Sequence, residues 1–539
     1  MTIGLLIGLS MPPSSSLYKK VGAASLIMMA SIFLSRVIGL FREMAIAYVG
    51  GTSAGVDAYQ VAFVIPEILN HIAASGFLSI TFIPIFSRYL AHDREQEGWR
   101  VFSIILNTFG AMLSLLITVA FVLAPALVAL VAPGLQDPDT VQRAVHMTRI
   151  ILPAQFFFFS GGLFMAVQFA KERFFIPALA PLIYNLGIIT GGLVLGPRLG
   201  MEGFSWGVLG GALIGNFAVQ LLGARRVGMR YRLALNLRHP DLIKYILLSL
   251  PLMIGLGMAF SSEFFIKFFG SYLPPGSIAS LNYGLRVMLI LVGLFGQSVG
   301  TASYPFMARL AAEKKLAEMN HLLNTGLRYL LVVIPFSVLL MVLRHEVILI
   351  LFQRGRFDAA ATALTARLLV FLLIGTFAFS AAIFVNRGYY AVQNTLFPAV
   401  FGSLAVIVSI PLYLVAMRHM GAAGLALAIS LSSIFQVTLL YILWNRKSVN
   451  RGSREVYFFF VRVALASTLM GIILEAFHKV VLADMDRSTF SGCLVSALYT
   501  STLFAILLIG AAQLFGIREI PEMIRRIIEK LAALKSPKG

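Results

Sequence analysis

The sequence predicts an all-α polytopic membrane protein with about fourteen transmembrane helices, in which two parallel six-helix repeats surround a central cavity and two accessory helices follow. Hydrophobic residues make up 59% of the 539 residues and charged residues 12%, with a mean hydropathy of +0.88. A soluble domain has about a quarter of charged residues, so lipid must cover much of this surface. The apolar segments exceed the roughly ten residues of a membrane β-strand. Turn-forming and charged residues also recur at one fixed offset along the chain.

The predicted spans are apolar segments of about twenty residues or more, separated by charged residues or by Pro and Gly turns. They lie at residues 24–49, 57–88, 100–131, 140–170, 176–196, 203–223, 240–270, 277–308, 319–343, 359–386, 394–416, 421–444, 456–477 and 493–516. Several are longer than a bilayer requires, so these helices should tilt, kink or project from it.

An internal duplication is indicated by residues that repeat at one constant spacing. The matched pairs are Pro84 and Pro305, Arg88 and Arg309, Gly134 and Gly355, Asp137 and Asp358, Pro177 and Pro398, Gly200 and Gly421, Gly203 and Gly424, and Arg225 and Arg446. Six spans per copy is an even number, so both copies enter the membrane from the same side, as in transporters with parallel repeats. The alternative is that the duplication records only how a large membrane fold grew.

The domain organisation follows from the spans and the duplication. We predict an N-terminal cytoplasmic segment at 1–23, a first lobe at 24–226 and a second lobe at 227–447. An accessory pair of spans follows at 448–516, and a cytoplasmic amphipathic helix and tail at 517–539.

The formal net charge of +20 predicts orientation rather than nucleic-acid binding. Most Lys and Arg residues lie at the two termini and in the loops after the even-numbered spans, and the loop at 225–244 is the most basic of them. Cytoplasmic loops of membrane proteins carry this excess of positive charge. Both termini are therefore expected in the cytoplasm, and no nucleic-acid partner is expected.

The residues favour a transporter over an enzyme. There is no Gly-rich loop ending in Lys-Ser/Thr for a nucleotide, the eight His residues are scattered, and no paired carboxylates indicate hydrolysis. Cys493 is the only cysteine, which excludes a disulfide within the chain and a Cys-based metal site. We expect no catalytic residues, no metal and no organic cofactor.

Charged side chains within the spans are the candidate site residues. A central arginine in a span costs about 2.5–3.5 kcal/mol on insertion scales, so it should face a cavity, a partner or an interface. Arg36 and Arg42, with Glu43 beside the latter, lie in the first span, and Arg286 lies in the eighth. Guanidinium groups bind phosphate bidentately, so three arginines facing one cavity would suit an anionic substrate. Helix-to-helix ion pairing is the alternative role for the first two arginines.

Two further acidic residues lie at span positions. Glu263 and Lys267 are four residues apart in the seventh span, in the order that favours an ion pair on one helix face. Asp57 lies at the start of the second span.

The sequence resembles the MurJ/MviN family from about residue 17 to residue 516. The resemblance is carried by residues 35–43, 56–63, 175–181, 351–357 and 388–395. It implies a fourteen-helix exporter of the MATE and polysaccharide-flippase superfamily that translocates lipid II, the undecaprenyl-diphosphate-linked peptidoglycan precursor, across the bacterial inner membrane. By motif, the cavity arginines of the family correspond to Arg36, Arg42 and Arg286, and its aspartate in the second span corresponds to Asp57.

The chain departs from the family pattern at several positions. Asn70 stands where the family usually has an arginine, Ser75 where an acidic residue is common, and Leu285 or Gly284 replaces an aspartate. A seventh-span acidic residue that helps to bind sodium in some members aligns with Ile266, and Glu263, one turn away, is the candidate substitute.

The leading hypothesis is a lipid II flippase that works by alternating access, with Asp57, Glu43 and Asn70 gating the cavity or orienting its arginines. Another undecaprenyl-linked glycan, for capsule or exopolysaccharide, is the alternative cargo. Cation or drug antiport and a scaffold that recruits cell-wall enzymes are further readings. The expected partners are the lipid-linked precursor and membrane lipids, with a monomeric state and contacts to cell-wall synthesis enzymes. If an ion drives transport, we expect a monovalent cation such as sodium, coupled through Glu263.

Overall fold

The structure is a computed structural model that describes residues 16–73, 81–256 and 261–522, together with 525 and 529. All regular elements within these ranges are helical. The helices of the first half are α1 Ser16–Gly50, α2 Ala54–Ala62, α3 Val64–Ala73, α4 Ile83–Ala91, α5 Glu95–Val122, α6 Ala124–Val131, α7 Pro138–Ile151, α8 Ala154–Ala170, α9 Phe175–Leu199, α10 Glu202–Gly211, α11 Val219–Arg226, α12 Pro240–Leu256 and α13 Ser261–Gly270.

The second half continues with ten helices. They are α14 Ser277–Val292, α15 Ser298–Ala312, α16 Leu316–Leu331, α17 Val333–Val342, α18 Arg344–Phe352, α19 Ala359–Ile374, α20 Thr376–Ala391, α21 Leu396–Ser448, α22 Ser453–Val480 and α23 Phe490–Leu514. Short π-helical stretches, Ala212–Ala218 and Gly293–Gln297, join α10 to α11 and α14 to α15.

The described helices have the length and apolarity of membrane spans. Within the three described ranges, nine single helices or runs of directly consecutive helices are long and apolar enough to cross a membrane. The pair α19 and α20, which bends by 43° at Gly375, makes a tenth. The helix limits follow the predicted spans closely, with breaks inside several of them. The second predicted span has a break at Phe63, between α2 and α3, and the predicted spans at 394–416 and 421–444 both lie in α21. The count of fourteen is consistent with this arrangement and stays a prediction.

The duplication is visible in the backbone. Gly200, between α9 and α10, has φ 56° and ψ −132°, and Gly421, inside α21, has φ 57° and ψ −132°. Asp137 and Asp358 each cap the following helix, by accepting a hydrogen bond from the backbone N–H three residues later at 3.0 Å and 2.8 Å. Residues paired by the sequence offset therefore have equivalent local structure.

Packing divides the chain into two compact units. The first contains residues 1–279 with 354–357, and the second contains 280–353 with 358–539. The predicted lobes at 24–226 and 227–447 describe the repeat, and their boundaries stay a prediction. The first unit contains the helices of the first repeat and, in addition, α12, α13 and the short loop at 354–357.

The first unit has an aromatic core formed by side chains of α4 and α5 and the residue before α4. Phe82, Phe86, Trp99 and Phe102 are almost fully buried, and neighbouring rings in this group stack or meet edge to face. The carboxylate of Asp241 binds both Arg88 and the hydroxyl of Tyr89, so the start of α12 is fixed to the end of α4.

The second unit has a buried polar cluster at the end of α21. Asn324 and Asn450 exchange two amide hydrogen bonds of 2.8 Å and 2.9 Å, and Tyr441 donates to Asn324 at 2.7 Å. The described part of the C-terminal segment packs on α16, because Tyr329 donates to Glu522. The amphipathic helix predicted at 517–534 lies largely outside the described residues, and so does Ser75.

Candidate functional site

Arg42 lies in a polar network on the first unit. Its guanidinium donates to Glu43 Oε1 at 2.7 Å and to Asn185 Oδ1 at 3.0 Å. Asn185, on α9, in turn donates to Ser35 Oγ at 3.3 Å and to the carbonyl of Pro181 at 2.9 Å. The side chain of Glu43 is 5% exposed and that of Arg42 is 24% exposed. Two partners therefore fix the direction of the guanidinium, while part of the Arg42 side chain remains accessible.

Aromatic hydroxyls surround this network. Tyr59 on α2 and Tyr184 on α9 lie close enough to Arg42 to interact with its charge. Glu67 on α3 is within electrostatic range of Tyr184. Side chains of α1, α2, α3 and α9 thus form one polar region in a mostly apolar unit.

Arg36 lies on the same helix and is exposed. It is six residues from Arg42, which is about 9 Å along a helix axis. The structure therefore places the two predicted arginines on one helix, with Arg42 held by partners and Arg36 at the surface of the unit.

The carboxylate of Asp57 accepts hydrogen bonds from backbone N–H groups. Its Oδ2 accepts from the N–H of Gly276 at 2.5 Å, and its Oδ1 accepts from the N–H of Ala279 at 2.7 Å. These groups are at the start of α14, where free N–H groups attract negative charge. Asp57 therefore fixes the first turn of α14, the helix that also contains Arg286. A direct role in gating stays a prediction.

Arg286 is partly buried in the second unit. Asn282, four residues earlier and so on the same face of α14, is 1% exposed. In the described part of the chain, neither amide atom of Asn282 has a hydrogen-bond partner. The face of α14 that contains Arg286 therefore also presents an amide that can donate and accept further hydrogen bonds.

The predicted ion pair between Glu263 and Lys267 is confirmed, with 3.5 Å between Oε2 and Nζ. Lys267 is 3% exposed, so its charge is held inside the unit beside the carboxylate. Glu263 is also within electrostatic range of His71, whose Nδ1 lies 2.7 Å from the carbonyl of Glu67. Asn70, next to His71, is partly buried. A lysine at this distance disfavours a cation on Glu263.

Two equivalent loops make close backbone contacts in the first unit. A Cβ on Gly134 would lie 2.5 Å from the backbone of Ser271, and a Cβ on Gly355 would lie 2.4 Å from the carbonyl oxygen of Tyr48. Gly134 N–H donates to Ser271 Oγ at 2.9 Å, and the N–H of Arg356 donates to Tyr48 O at 2.9 Å. The loop of each repeat therefore packs at the end of the first span of the other repeat, directly after α13 or on α1.

Comparisons with known proteins identify the family of this chain. A family model described as "Lipid II flippase MurJ" matches residues 46–491. The chain belongs to the MurJ lipid II flippase family. A relative from Burkholderia cenocepacia, named lipid II flippase MurJ, is 30% identical over 453 residues, which cover 82% of this chain and 87% of the relative.

Solved structures show the same fold. The structure titled "Lipid II flippase MurJ, inward closed conformation" has a TM-score of 0.72 and 22% identity, and the match covers 90% of this chain and 99% of that one. An inward-facing multidrug resistance MATE family transporter of the MOP superfamily has a TM-score of 0.65 and 11% identity, with coverage of 78% and 98%. The all-α membrane fold and the MurJ/MviN resemblance predicted from the sequence are confirmed, and the chain is a multi-pass membrane protein of a flippase family.

The sequence analysis did not single out two polar residues that lie beside predicted arginines. Asn185 holds Arg42, and Asn282 lies one turn from Arg286. Both are amides within apolar helices, where an unpaired polar group costs free energy. An isolated Asn in an apolar span therefore predicts a hydrogen-bond partner, and this rule could have identified both residues.

Proposed function

We propose that this protein translocates lipid II from the cytoplasmic to the outer leaflet of the bacterial inner membrane by alternating access. Arg36, Arg42 and Arg286 would bind the diphosphate and head group in the predicted cavity. The observation that carries this proposal is the match of residues 46–491 to the lipid II flippase family, and the guanidinium network of α1 supplies the chemistry.

The chemistry of Arg42 suits a diphosphate. Glu43 and Asn185 occupy two of its donor directions, and a guanidinium has five N–H donors in all. The remaining donors can bind phosphate oxygens while the two partners keep the group oriented. Charge-assisted hydrogen bonds of this kind contribute about 1.5–3 kcal/mol each.

Asp57, Glu43 and Asn70 would act as gating or orienting residues. The bonds from Asp57 to the start of α14 and the close loop contacts at Gly134 and Gly355 would have to break or rearrange when the outer side opens. Sodium coupling through Glu263 is the less favoured part of this proposal, because Lys267 already neutralises that carboxylate. Membrane potential is the alternative driver, at about 2.3 kcal/mol per charge per 100 mV.

We infer that both termini face the cytoplasm, that the protein works as a monomer without catalysing a reaction, and that cell-wall synthesis enzymes are its neighbours. Export of another undecaprenyl-linked glycan is not favoured, because the named relatives are lipid II flippases.

Complementation tests this function. The chain is expressed in cells depleted of their own lipid II flippase, and growth and outer-leaflet lipid II are measured. We expect rescue by the wild type, and loss of rescue by Arg36→Ala, Arg42→Ala or Arg286→Ala at unchanged expression. Arg42→Lys should rescue poorly, because lysine keeps the charge but not the bidentate geometry.

Arg94→Ala is the matched control, since Arg94 forms an exposed ion pair with Glu97, and it should rescue fully. Failure of the wild type in a host with matching lipid II would contradict the assigned cargo. Full rescue by all three arginine variants would contradict the proposed binding residues.

A further inference from the structure

A cavity lies in the first unit, and its lining does not include the arginines of α1. Its volume is about 390 Å³, and it is bounded by α5, α8, the π-helical stretch Ala212–Ala218 and α11. Most of its walls are apolar, with contributions from Leu106, Phe156, Phe164, Phe217, Leu221 and Met229. The wall residues of α8 recur every four residues from 156 to 164, so the cavity follows that helix for about 12 Å.

The interior suits hydrocarbon. Ser160 lines the cavity, but its hydroxyl donates to the carbonyl of Phe156 at 2.7 Å, which satisfies it within the helix. Gly110 contributes a wall without a side chain, and a Cβ there would lie 3.5 Å from the ring of Phe156, an ordinary contact. A polar ligand would lose its hydration here and find few hydrogen-bond partners. An acyl chain would be stabilised, because its apolar surface would be buried.

One end of the cavity is polar and positively charged. Arg225, Tyr231 and Asn107 line it there. Tyr231 donates to Asn107 Oδ1 at 2.8 Å, and the amide of Asn107 donates to the carbonyls of Arg232 at 3.2 Å and Ala234 at 3.0 Å. The loop after α11 is therefore fixed along α5, which sets the shape of this end.

The charge at this end is available. Arg225 is exposed, and among the residues that the structure describes no carboxylate pairs with its guanidinium. The surface beside the cavity is apolar: Met112, Leu115 and Leu222 are 40%, 65% and 56% exposed. An apolar surface of this kind on a membrane protein is covered by lipid, so the cavity opens toward the bilayer.

We propose that this cavity binds an anionic phospholipid of the cytoplasmic leaflet, with one acyl chain between α5, α8 and α11 and the phosphate at Arg225. Arginine binds phosphate oxygens bidentately, and basic pockets between transmembrane helices on the cytoplasmic side recognise anionic head groups. The positive end belongs to the basic loop at 225–244, which the distribution of Lys and Arg assigns to the cytoplasm. The site shares no residue with the proposed lipid II site. It rests on the inferred cytoplasmic position of the loop at 225–244, but not on lipid II transport.

Native mass spectrometry of the purified full-length protein tests the site. The protein is titrated with phosphatidylglycerol and, separately, with phosphatidylcholine of the same acyl chains. We expect one phosphatidylglycerol to be retained about tenfold more tightly than phosphatidylcholine. Arg225→Ala should reduce this to the level of phosphatidylcholine, and Gly110→Leu, which fills the cavity, should reduce binding of both lipids.

Two matched variants complete the experiment. Arg226→Ala removes a neighbouring arginine that does not line the cavity, and Gly110→Ala adds one methyl group where space allows it, so both should bind as the wild type does. Equal losses from Arg225→Ala and Arg226→Ala would overturn the site, because they would indicate general surface attraction. Wild-type binding by Gly110→Leu would also overturn it. A polyprenyl phosphate that binds in place of phosphatidylglycerol, and is lost in Gly110→Leu, would overturn the assigned ligand.

Discussion

The carboxylate of Asp57 accepts two backbone N–H groups at the start of α14, from Gly276 and Ala279. An asparagine in its place can accept with one oxygen only and lacks the negative charge that favours a helix N-terminus. We expect Asp57→Asn to destabilise the protein by about 1 kcal/mol, measured as a lower thermal unfolding temperature in detergent.

The matched control for this change is Asp137→Asn. Asp137 caps α7 through one backbone N–H, at Thr140, and asparagine is as good an N-cap residue as aspartate. The control should therefore lose less stability. Equal unfolding temperatures for Asp57→Asn and the wild type would contradict the capping role.

Glu346 in α18 makes a buried contact to the two accessory helices. Its Oε1 lies 2.6 Å from His478 Nε2 on α22 and accepts from Ser496 Oγ on α23 at 3.1 Å. Burial opposes ionisation, but the hydrogen bonds from His478 and Ser496 prevail, and the pKa of the Glu346 carboxyl lies below its ordinary value. A depressed pKa contributes stability that is present above the unfolded pKa of about 4.3 and is lost as the pH falls through the folded pKa.

We therefore expect the unfolding temperature to fall as the pH drops from about 5 to about 3, through the unfolded pKa and toward the lower folded pKa, with a smaller fall in Glu346→Gln. The comparison variant is Asp486→Asn, which removes an exposed carboxylate whose pKa is also lowered, by Ser488. Its pH dependence should match the wild type, because solvent screens an exposed group. The same pH dependence in Glu346→Gln and wild type would contradict this account.

At the scale of elements, Gly200 and Gly421 end one helix and begin the next with the same backbone geometry, a positive φ with ψ near −132°. A residue with a Cβ is strained in this region, at a cost of about 1–3 kcal/mol. We expect Gly200→Ala and Gly421→Ala to lower the unfolding temperature by similar amounts. A Cβ would meet no atom within 4 Å at either position, so the effect would report backbone strain alone.

Gly210→Ala is the control, since Gly210 lies inside α10 and also has open space around its Cβ position. Alanine is the better helix former there, so stability should stay the same or rise. A larger loss from Gly210→Ala than from the two strained positions would contradict this interpretation.

The helices could be predicted from the sequence because apolar length and the positions of Pro, Gly and charge are local properties. The sequence also predicted which residues of the two repeats are equivalent, for the same reason. Examples are Gly200 with Gly421, and Asp137 with Asp358. The break at Gly375 and the π-helical stretches were not, because they depend on how neighbouring helices pack. Asn185, which holds Arg42, is 143 residues away, and the backbone groups that Asp57 contacts are 219 and 222 residues away. The sequence therefore identified these two charged side chains but not their distant partners.

At the scale of the whole molecule, the distribution of positive charge determines how the protein lies in the membrane. The loop at 225–244 contains six of the Lys and Arg residues, at 225, 226, 230, 232, 238 and 244. The loop between α22 and α23, at 481–489, contains Arg487 as its only basic residue. Positively charged loops are retained on the cytoplasmic side, so these two loops should lie on opposite sides of the membrane.

Reporter fusions test this orientation. Alkaline phosphatase, which is active only outside the cytoplasm, should be inactive when fused after residue 234 and active when fused after residue 484. A green fluorescent protein at the C-terminus should be fluorescent, as expected for a cytoplasmic end. Because the two loops are separated by α12 to α22, an odd number of spans between them is required, and the fourteen predicted spans place seven there. Phosphatase activity at both fusion points would contradict this number, and activity only after residue 234 would invert the orientation.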